Sequence, residues 1–361
     1  MNLKTRLAQR LPLPRMLLGA MAVSAAGFLM LPKLSTSPLA AEPEVVVLTA
    51  QGETEPVESR GDAADDAAIW YNATSPEQSR VLGTDKRRGL EVYDLAGQRL
   101  QSLPVGRLNN VDLRQDVPMN GRRMDLAVAT HRDLEGLSVF EIAADGQVTL
   151  IGTVSTALLE IYGVCLYRHV DELHVFVNAK DGRYLQYRLE LIEGNPVIVP
   201  LRFFRLGSQP EGCVADDNHA RLFVGEEDVG VWVMRASPEV GTDRELVIAA
   251  RDPLEPDIEG LALYNDEYLV VSSQGNDRFA VLDTEPPFRL MGIFRVDKDD
   301  ASGIGAVRDT DGIAISAHNF GTGFEQGLMV VQDGNNRPDN QNFKYLDWSR
   351  IATALGLHDQ R

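Results

Sequence analysis

Polar residues followed by short apolar runs recur along most of the chain. Six segments share this layout, in which one or two polar or acidic residues precede small and branched apolar ones. They begin at Asp65-Asp66-Ala67, Asn109-Asn110-Val111, Ile161-Tyr162-Gly163, Glu211-Gly212-Cys213, Glu259-Gly260-Leu261 and Asp311-Gly312-Ile313. Equivalent positions are 44 to 52 residues apart. A repeat of this length is typical of a propeller or a similar array of small sheets.

Each repeat contains further short β-rich runs, separated by turns of glycine, asparagine and aspartate. The pattern predicts four strands in each of the first five units. The sixth unit lacks a fourth run, and its third is Asn342–Asp347. Val45–Thr49 could supply the missing outer strand, which would close the ring and leave no free edge. We therefore predict an all-β, six-bladed β-propeller closed by an N-terminal strand, with a helical pattern only at residues 348–357.

The first 41 residues do not follow this pattern. A basic segment precedes an apolar run over residues 16–31, and small residues follow at Leu39-Ala40-Ala41. This order is typical of a secretory signal peptide that is cleaved near Ala40 or Ala41. A retained membrane anchor is the alternative, but the run of sixteen residues is shorter than the roughly 20 that a spanning helix needs. We expect a signal peptide at residues 1–41, one propeller domain at residues 42–361, and a secreted or periplasmic protein.

The charge of the chain limits its partners. The formal net charge is −18, and removal of residues 1–41, which hold five basic and no acidic residues, would make it −23. So much negative charge argues against nucleic acid and against a stable association with an anionic membrane after cleavage. A strongly acidic exported protein is instead a candidate for binding divalent cations.

Only two cysteines are present, Cys165 and Cys213, and each begins a predicted inner strand of a different repeat. Export would permit a disulfide between them. We expect two small buried thiols instead, because free cysteine is common in apolar cores.

Two groups of polar residues are expected to meet at one face of the ring. The first strand of each propeller blade lines the central channel, so the loops entering it and the turns leaving the second strand lie at the same mouth. Cationic residues come from the first three units: Lys86, Arg87, Arg88, Arg132 and Lys180. Acidic residues come from the last three: Glu211, Glu226, Glu227, Asp257, Glu259, Asp309, Asp311 and Asp333. The pattern predicts a mouth that is cationic on one side and acidic on the other.

Clustered carboxylates need counter-charge, because each raises the pKa of the next. Ca²⁺ satisfies such a cluster with six to eight oxygen ligands. The sequence has no Cys/His spacing that would favour Zn²⁺. For any one unit, an acidic residue before glycine is more simply explained as turn chemistry. Six units with charges separated by sign favour a metal site for the set.

Such a mouth suits a substrate that carries several phosphates. Lysine and arginine would hold one phosphate, and bound metal would lower the pKa of a water that attacks another. No side-chain nucleophile is evident. Two alternatives stay open: a calcium-dependent propeller lactonase or esterase, for which His131 is the only histidine near the mouth, and a propeller that binds ligands without catalysis.

Several ordered motifs carry a resemblance to a known family. They include Asp65-Asp66-Ala67-Ala68-Ile69-Trp70, Gly106-Arg107-Leu108-Asn109-Asn110-Val111-Asp112, Pro210-Glu211-Gly212, Gly225-Glu226-Glu227-Asp228, Asp257-Ile258-Glu259-Gly260-Leu261 and Asp309-Thr310-Asp311-Gly312. Over residues 44–355 the chain resembles the β-propeller phytases. The resemblance implies stepwise, calcium-dependent hydrolysis of phytate (inositol hexakisphosphate), of the 3-phytase type, with one phosphate site for cleavage and a neighbouring one for affinity.

The resemblance also implies site residues. The expected ligands of several calcium ions are Glu53, Asp65, Asp66, Glu211, Glu227, Asp257, Glu259, Asp311, Gln332 and Asp333. Of these, the expected catalytic residues are Glu211, Glu227, Glu259 and Asp311. The expected substrate-phosphate residues are Lys86, Arg132, Tyr162, Lys180 and Asp181. Asp181 stands where glutamate is expected, and its shorter side chain could alter the affinity site. The expected partner is phytate as its calcium complex, and we expect a monomer.

Overall fold

The computed structural model describes residues 44–321 and 323–357, so the expected signal peptide lies outside the described residues. Two short strands, β1 (Val45–Thr49) and β2 (Gly52–Glu53), precede the repeats. Six sheets follow, and in each the strands of the repeat run in chain order from the inside outward, with β1 and β2 added at the outer edges of two sheets. Inner strands of neighbouring sheets contact one another in sequence, and the sixth contacts the first. The fold is therefore a closed, six-bladed β-propeller, as predicted.

Four antiparallel strands make up each of the first three blades. Blade 1 contains β3 (Ala64–Trp70), β4 (Arg80–Asp85), β5 (Gly89–Tyr93) and β6 (Arg99–Leu103). Blade 2 contains β7 (Leu108–Met119), β8 (Arg122–His131), β9 (Gly136–Ile142) and β10 (Val148–Ser155). Blade 3 contains β11 (Ile161–His169), β12 (Glu172–Ala179), β13 (Arg183–Ile192) and β14 (Asn195–Arg205).

The other three blades repeat this order, and the last has fewer strands of its own. Blade 4 contains β15 (Pro210–Asp216), β16 (Arg221–Glu226), β17 (Gly230–Arg235) and β18 (Arg244–Ala249). Blade 5 contains β19 (Ile258–Tyr264), β20 (Tyr268–Ser273), β21 (Arg278–Asp283) and β22 (Leu290–Asp297). Blade 6 contains β23 (Ile313–Ser316), β24 (Leu328–Asp333) and β25 (Asn342–Asp347).

The N-terminal segment closes the ring, but a different part of it does so than the sequence suggested. β2 pairs with β25 and is the fourth strand of blade 6. The assignment of Val45–Thr49 to that position is wrong, because β1 pairs in parallel with β22 as a fifth strand of blade 5. There Val46 and Leu48 pack against the apolar cluster between blades 5 and 6. Two residues suffice to complete blade 6, and the apolar run of β1 lies on blade 5 instead.

Helical structure follows the last strand, where it was expected. The helix α1 (Trp348–Ala354) begins after Asp347, whose side chain accepts a hydrogen bond from the backbone nitrogen of Ser349 at 3.1 Å. Such a side-chain cap satisfies one of the free N–H groups of the first turn. Two single 3-10 turns, Pro76–Gln78 and Gln274–Asn276, are also present. Within the described ranges, no helix is long and apolar enough to cross a membrane.

Apolar side chains fill the spaces between neighbouring blades. Strand side chains alternate between two faces, so each blade offers one apolar layer to the blade before it and one to the blade after it. Val128 of blade 2 and Val175 of blade 3 belong to one such layer. Phe294 of blade 5 and Met329 of blade 6 belong to another. Burying an apolar side chain of this size contributes roughly 1.5–3 kcal/mol, which holds the ring together without a single central core.

Five of the six inner strands carry a bulge where the polar residues of the repeat lie. The pairing register shifts between Ala64 and Ala67, Leu108 and Val111, Ile161 and Val164, Pro210 and Cys213, and Ile258 and Leu261. A bulge inserts an unpaired residue and re-aims its side chain. These bulges therefore turn the polar residues of the repeat away from the blade faces and toward one end of the channel.

A disulfide joins Cys165 of β11 to Cys213 of β15. The expectation of two free thiols is wrong. The inner strands of blades 3 and 4 lie side by side, and the two Cα atoms are 5.8 Å apart, within the range that a disulfide spans. The bridge therefore ties together two neighbouring blades at the channel.

Replacing both cysteines with alanine should lower the free energy of unfolding by about 2–4 kcal/mol, since the bridge closes a loop across a sequence separation of 48 residues. Urea unfolding of the wild type and of the Cys165→Ala/Cys213→Ala variant, without reductant, measures the difference. A reducing agent should destabilise the wild type and leave the variant unchanged. Equal midpoints in the absence of reductant would contradict a stabilising bridge.

Candidate active site

Carboxylates from four blades meet at the bulged end of the channel. Oxygens of Glu211, Glu227 and Glu259 all lie within 4.8 Å of one another. Asp65 of blade 1 and Asp311, which directly precedes the inner strand of blade 6, are joined to the group by hydrogen bonds and charge. We call these five residues the carboxylate cluster. Asp65, Glu211 and Glu259 sit in the bulges, so the backbone irregularity of the inner strands places them there.

Lys86 lies inside this cluster. Its Nζ atom is 2.9 Å from Asp65 Oδ1, 2.8 Å from Asp311 Oδ2 and 2.6 Å from Asp62 Oδ1. Burial lowers the pKa of Lys86, but Asp65 and Asp311 outweigh it and raise the pKa well above its usual range. The expected division of the mouth into a cationic and an acidic side therefore does not hold for Lys86, which neutralises part of the cluster from within.

Arg132 and Lys180 lie on the side of blades 2 and 3, whereas Arg87 and Arg88 lie in the turn between β4 and β5 of blade 1. The buried amide of Asn109 donates to Asp65 Oδ2 at 2.9 Å and to Glu211 Oε1 at 3.0 Å, and its oxygen accepts from Arg132 at 3.1 Å. Asn109 thus connects the carboxylate cluster to Arg132. Lys180 places its ammonium 4.1 Å from the ring centre of Tyr162, a cation–π contact.

Burial and mutual repulsion make the carboxyl groups of the cluster hard to ionise. Burial raises the pKa of Glu259 well above its usual range, and Glu211 raises it further. Burial raises the pKa of Asp311 in the same way, although the charge of Lys86 offsets part of this shift. Burial also raises the pKa of Glu227, to about 7. The cluster is therefore short of positive charge.

The residues fit a divalent cation. Among the described residues, Oε2 of Glu259 is buried and has no hydrogen-bond partner, which is costly unless a ligand satisfies it. The atoms that Glu211, Glu227 and Glu259 offer to a metal ion are all carboxylate oxygens. Hard cations such as Ca²⁺ and Mg²⁺ prefer this donor set. Glu211, Glu227 and Glu259 can therefore hold a metal ion.

Three glutamine side chains orient the cluster. Gln209 donates to Glu227 Oε1 at 2.7 Å, and Gln274 donates to Asp311 Oδ1. Gln332, an expected ligand, accepts from the backbone nitrogen of Asp311 at 2.8 Å. Gln209 was missed in the sequence, although it directly precedes Pro210-Glu211 at the start of a repeat. Gln209 is recognised as part of the site only once the structure shows that the chain brings it beside Glu227.

Two expected metal ligands, Glu53 and Asp333, instead form ion pairs with a buried lysine. Lys344 is fully buried, and its Nζ atom is 2.6 Å from Glu53 Oε2 and 3.2 Å from Asp333 Oδ2. Asn342 also donates to Glu53, at 3.1 Å. Lys344 was missed in the sequence, where a single charge inside Asn342–Asp347 is its only signal. In this arrangement the lysine provides the counter-charge that a metal would otherwise supply.

The other expected residues occupy three different settings. Asp257 lines the cleft beside Glu227, whose carbonyl accepts from the Asp257 backbone at 3.1 Å. Asp66 turns into the channel and accepts from the backbone nitrogens of Ala67 at 2.9 Å and Val111 at 3.1 Å, so it ties blade 1 to blade 2. Asp181 is half exposed at 39% and pairs with Arg183 at 2.8 Å.

A cleft of about 1580 Å³ opens above the cluster. Tyr162, Glu227, Glu259 and Asp311 line it. Loops at residues 56–62 and 334–341 also line it; they lie next to blades 1 and 6, so they form the wall across the ring from Tyr162 of blade 3. The cleft is large enough for a highly substituted small molecule to contact both walls at once.

Comparison with known proteins identifies the family. Residues 16–360 match the family model described as Phytase. The chain belongs to the phytase family. A relative, the 3-phytase of Bacillus subtilis (strain 168), is 39% identical over 339 residues that cover 87% of each chain. A solved structure of a protein from Lactobacillus plantarum matches with a TM-score of 0.47 and 14% identity, over 78% of this chain and 87% of that one. This phytase is therefore a hydrolase of phosphate esters, and its family and this relative support phytate as the substrate.

The metal-free phytase should lose stability as pH rises. The pKa of Glu227 is raised from 4.5 to about 7 by folding, so the folded state binds more protons between these values. The resulting stabilisation is complete below about pH 4.5 and is lost as pH rises through about 7. With a chelator present, the melting temperature should fall from about pH 5 to about pH 8.

The control for this effect is Glu227→Gln, which removes the titrating group and should weaken the decline. Added calcium should raise the melting temperature most at the alkaline end, where the carboxylates are ionised. A metal-free melting temperature that rises across the window would contradict the repulsion within the cluster.

Proposed function

We propose that this chain is a calcium-dependent phytase, and that it hydrolyses phytate stepwise at the carboxylate cluster. The observation that carries the proposal is the meeting of Glu211, Glu227 and Glu259, with one buried oxygen unsatisfied, beside the cationic residues of blades 2 and 3. Similarity to the Bacillus relative supports a 3-phytase activity. The proposed substrate is phytate as its calcium complex, acted on by a monomer.

Side chains on the blade 2 and blade 3 side would bind the substrate. Arg132 is held by Asn109 beside the cluster, so its guanidinium is placed to donate to a phosphate. Lys180, stacked on Tyr162, is placed for a neighbouring phosphate. Lys86 stays charged among its three carboxylates and can exchange one of these partners for a phosphate oxygen.

Side chains of the cluster would hold the metal and keep it in place. Glu211, Glu227 and Glu259 offer the ligand oxygens, and Gln209 fixes the orientation of Glu227. Asp311 is held from two sides by Gln274 and Gln332. When bound, Ca²⁺ would offset the charge of a phosphate and make a water in the cleft more acidic, so that the water oxygen could bond to phosphorus while the P–O bond to the inositol ring breaks and the released ring oxygen takes up a proton from water.

Export to the periplasm or the medium is part of the proposal. It is supported by the signal-peptide pattern at residues 1–41 and by the Cys165–Cys213 bridge, because disulfides persist in oxidising compartments.

The position of His131 argues against a lactonase or esterase. That chemistry would need a base in the cleft, but His131 is buried, and its Nδ1 lies 3.1 Å from Ser138 Oγ. Burial also lowers its pKa. His131 therefore has a structural setting in blade 2.

Phosphate release from phytate should require calcium. A chelator should abolish it and added calcium should restore it, because the cluster lacks counter-charge without metal.

Glu211→Gln and Asp311→Asn should each lower kcat about 100-fold or more, since they remove ligand charge at the reacting centre. The matched control is Glu245→Gln, an exposed glutamate on the outer strand of blade 4. Release that persists in excess chelator, or near-normal rates in both variants, would refute the proposal.

Arg132→Ala should weaken substrate binding more than turnover. Loss of a charge-assisted contact to phosphate should raise KM for phytate about tenfold. Arg132→Lys keeps the charge and should recover part of the loss. Steady-state kinetics at saturating calcium measure both constants, and an unchanged KM in Arg132→Ala would remove this residue from the binding site.

A further inference from the structure

Two arginines on the cleft wall opposite Tyr162 have no role in the site described so far. Arg60 lies on the loop that follows β2, and Arg337 lies on the loop between β24 and β25. Both line the cleft above the carboxylate cluster, and both are exposed. In a ring of six, blades 6 and 1 face blades 3 and 4. The two arginines therefore stand across the cluster from the blade that carries Tyr162 and Lys180.

Their loops are held in place on both sides of each arginine. Before Arg60, the Asn340 amide donates to the carbonyls of Val57 at 3.0 Å and Glu58 at 3.2 Å. After it, Arg87 donates to the carbonyl of Asp62 at 2.9 Å.

The loop of Arg337 is closed by two side-chain bonds across it. Asn336 donates to the carbonyl of Asn340 at 2.9 Å, and Gln341 donates to the carbonyl of Gly334 at 2.9 Å. Both arginines thus project from backbone that the fold has already ordered, which reduces the entropy lost when a ligand binds.

The guanidinium groups themselves are free. Among the described residues, neither Arg60 nor Arg337 has a hydrogen-bond or ion-pair partner. Arg99, on the same wall, is in contrast bound to Glu58 at 2.8 Å and to Glu91 at 3.3 Å. The absence of partners leaves both groups available to a ligand.

The acidic residues of this wall are mostly occupied. Glu58 is paired with Arg99, and Asp62 is paired with Lys86 at 2.6 Å. Asp339 is the other acidic residue that the two loops bring to the cleft. Glu58 and Asp62 thus have cationic partners, whereas among the described residues Arg60 and Arg337 have no anionic partner, so an anionic ligand could pair with these two guanidinium groups.

We infer that Arg60 and Arg337 form a third phosphate-binding subsite for polyphosphorylated substrates. A planar guanidinium matches phosphate with two parallel hydrogen bonds. The six phosphates of phytate point outward around its ring, so one held at the cluster leaves others directed toward this wall. The inference rests on the proposed function, and it adds a determinant of substrate choice: esters with several phosphates reach the subsite, and a monophosphate does not.

Kinetics on two substrates test the subsite. The variants are Arg60→Ala, Arg337→Ala and the double variant, assayed with calcium on phytate and on p-nitrophenyl phosphate. In the double variant KM for phytate should rise about 3- to 10-fold with kcat changed less than about twofold, and the effect should shrink in high salt. The efficiency on p-nitrophenyl phosphate should stay the same. Asp339→Asn should lower KM for phytate, because it removes a negative charge from the wall that carries the two arginines.

The control is Arg235→Ala. Arg235 is exposed, and its side chain has no partner in the described part of the chain. Its backbone lies opposite that of Arg221 in the sheet, at the end of blade 4 away from Glu227. It should leave both substrates unaffected. An unchanged KM for phytate in the double variant, or an equal loss on both substrates, would overturn the subsite.

Binding of myo-inositol hexakissulfate, an inert polyanion, separates the two proposals. Calorimetry with calcium should show an affinity about 3- to 10-fold weaker in the double variant than in the wild type. If the wild type releases no phosphate from phytate, the proposed function fails, and this measurement still decides the subsite. Equal affinity in both proteins, or no binding to the wild type, would overturn the subsite.

Discussion

The close approach of inner strands around the channel is the constraint on which this structure depends. A Cβ atom on Gly163 would lie 2.0 Å from the carbonyl oxygen of Glu211, and one on Gly212 would lie 2.0 Å from that of Glu259. Only glycine permits backbones to pass this closely. The residue before Gly212 is Glu211, and the bulge of the strand turns it to the mouth. The glycine serves the packing of the ring, and the acidic residue beside it serves the site.

Such convergence creates an electrostatic problem that the chain meets in two ways. At Lys344, a buried ammonium pairs with both Glu53 and Asp333. At the mouth, Lys86 compensates only part of the charge, and Glu259 keeps a buried oxygen without a partner. A lysine provides fixed counter-charge, whereas a metal ion is exchangeable and can also act on a substrate. The mouth thus gathers more carboxylates for each lysine than the site of Lys344 does.

Local and periodic features of this fold were readable in the sequence, and pairings over long distances were not. The repeat predicted six blades because each unit carries its own alternation of apolar and polar residues. The closing strand was misassigned because Gly52–Glu53, a strand of two residues, is too short to show an alternation of apolar and polar positions. Similarly, no local pattern relates Glu53 to Lys344, which is 291 residues away. The bridge between Cys165 and Cys213 depends on how closely adjacent blades pack, which the repeat length alone does not give.

The chemistry of the mouth departs from the symmetry of its backbone. The five bulges are equivalent in geometry, yet blades 2 and 3 place Asn109 and Tyr162 where blades 4 and 5 place Glu211 and Glu259. The bulges of blades 2 and 3 therefore carry neutral polar groups, and those of blades 4 and 5 carry carboxylates. Arg60 belongs to a loop outside the repeat. A ring of similar units supplies the shared position of these side chains, and residues that break the similarity give the mouth its uneven distribution of charge.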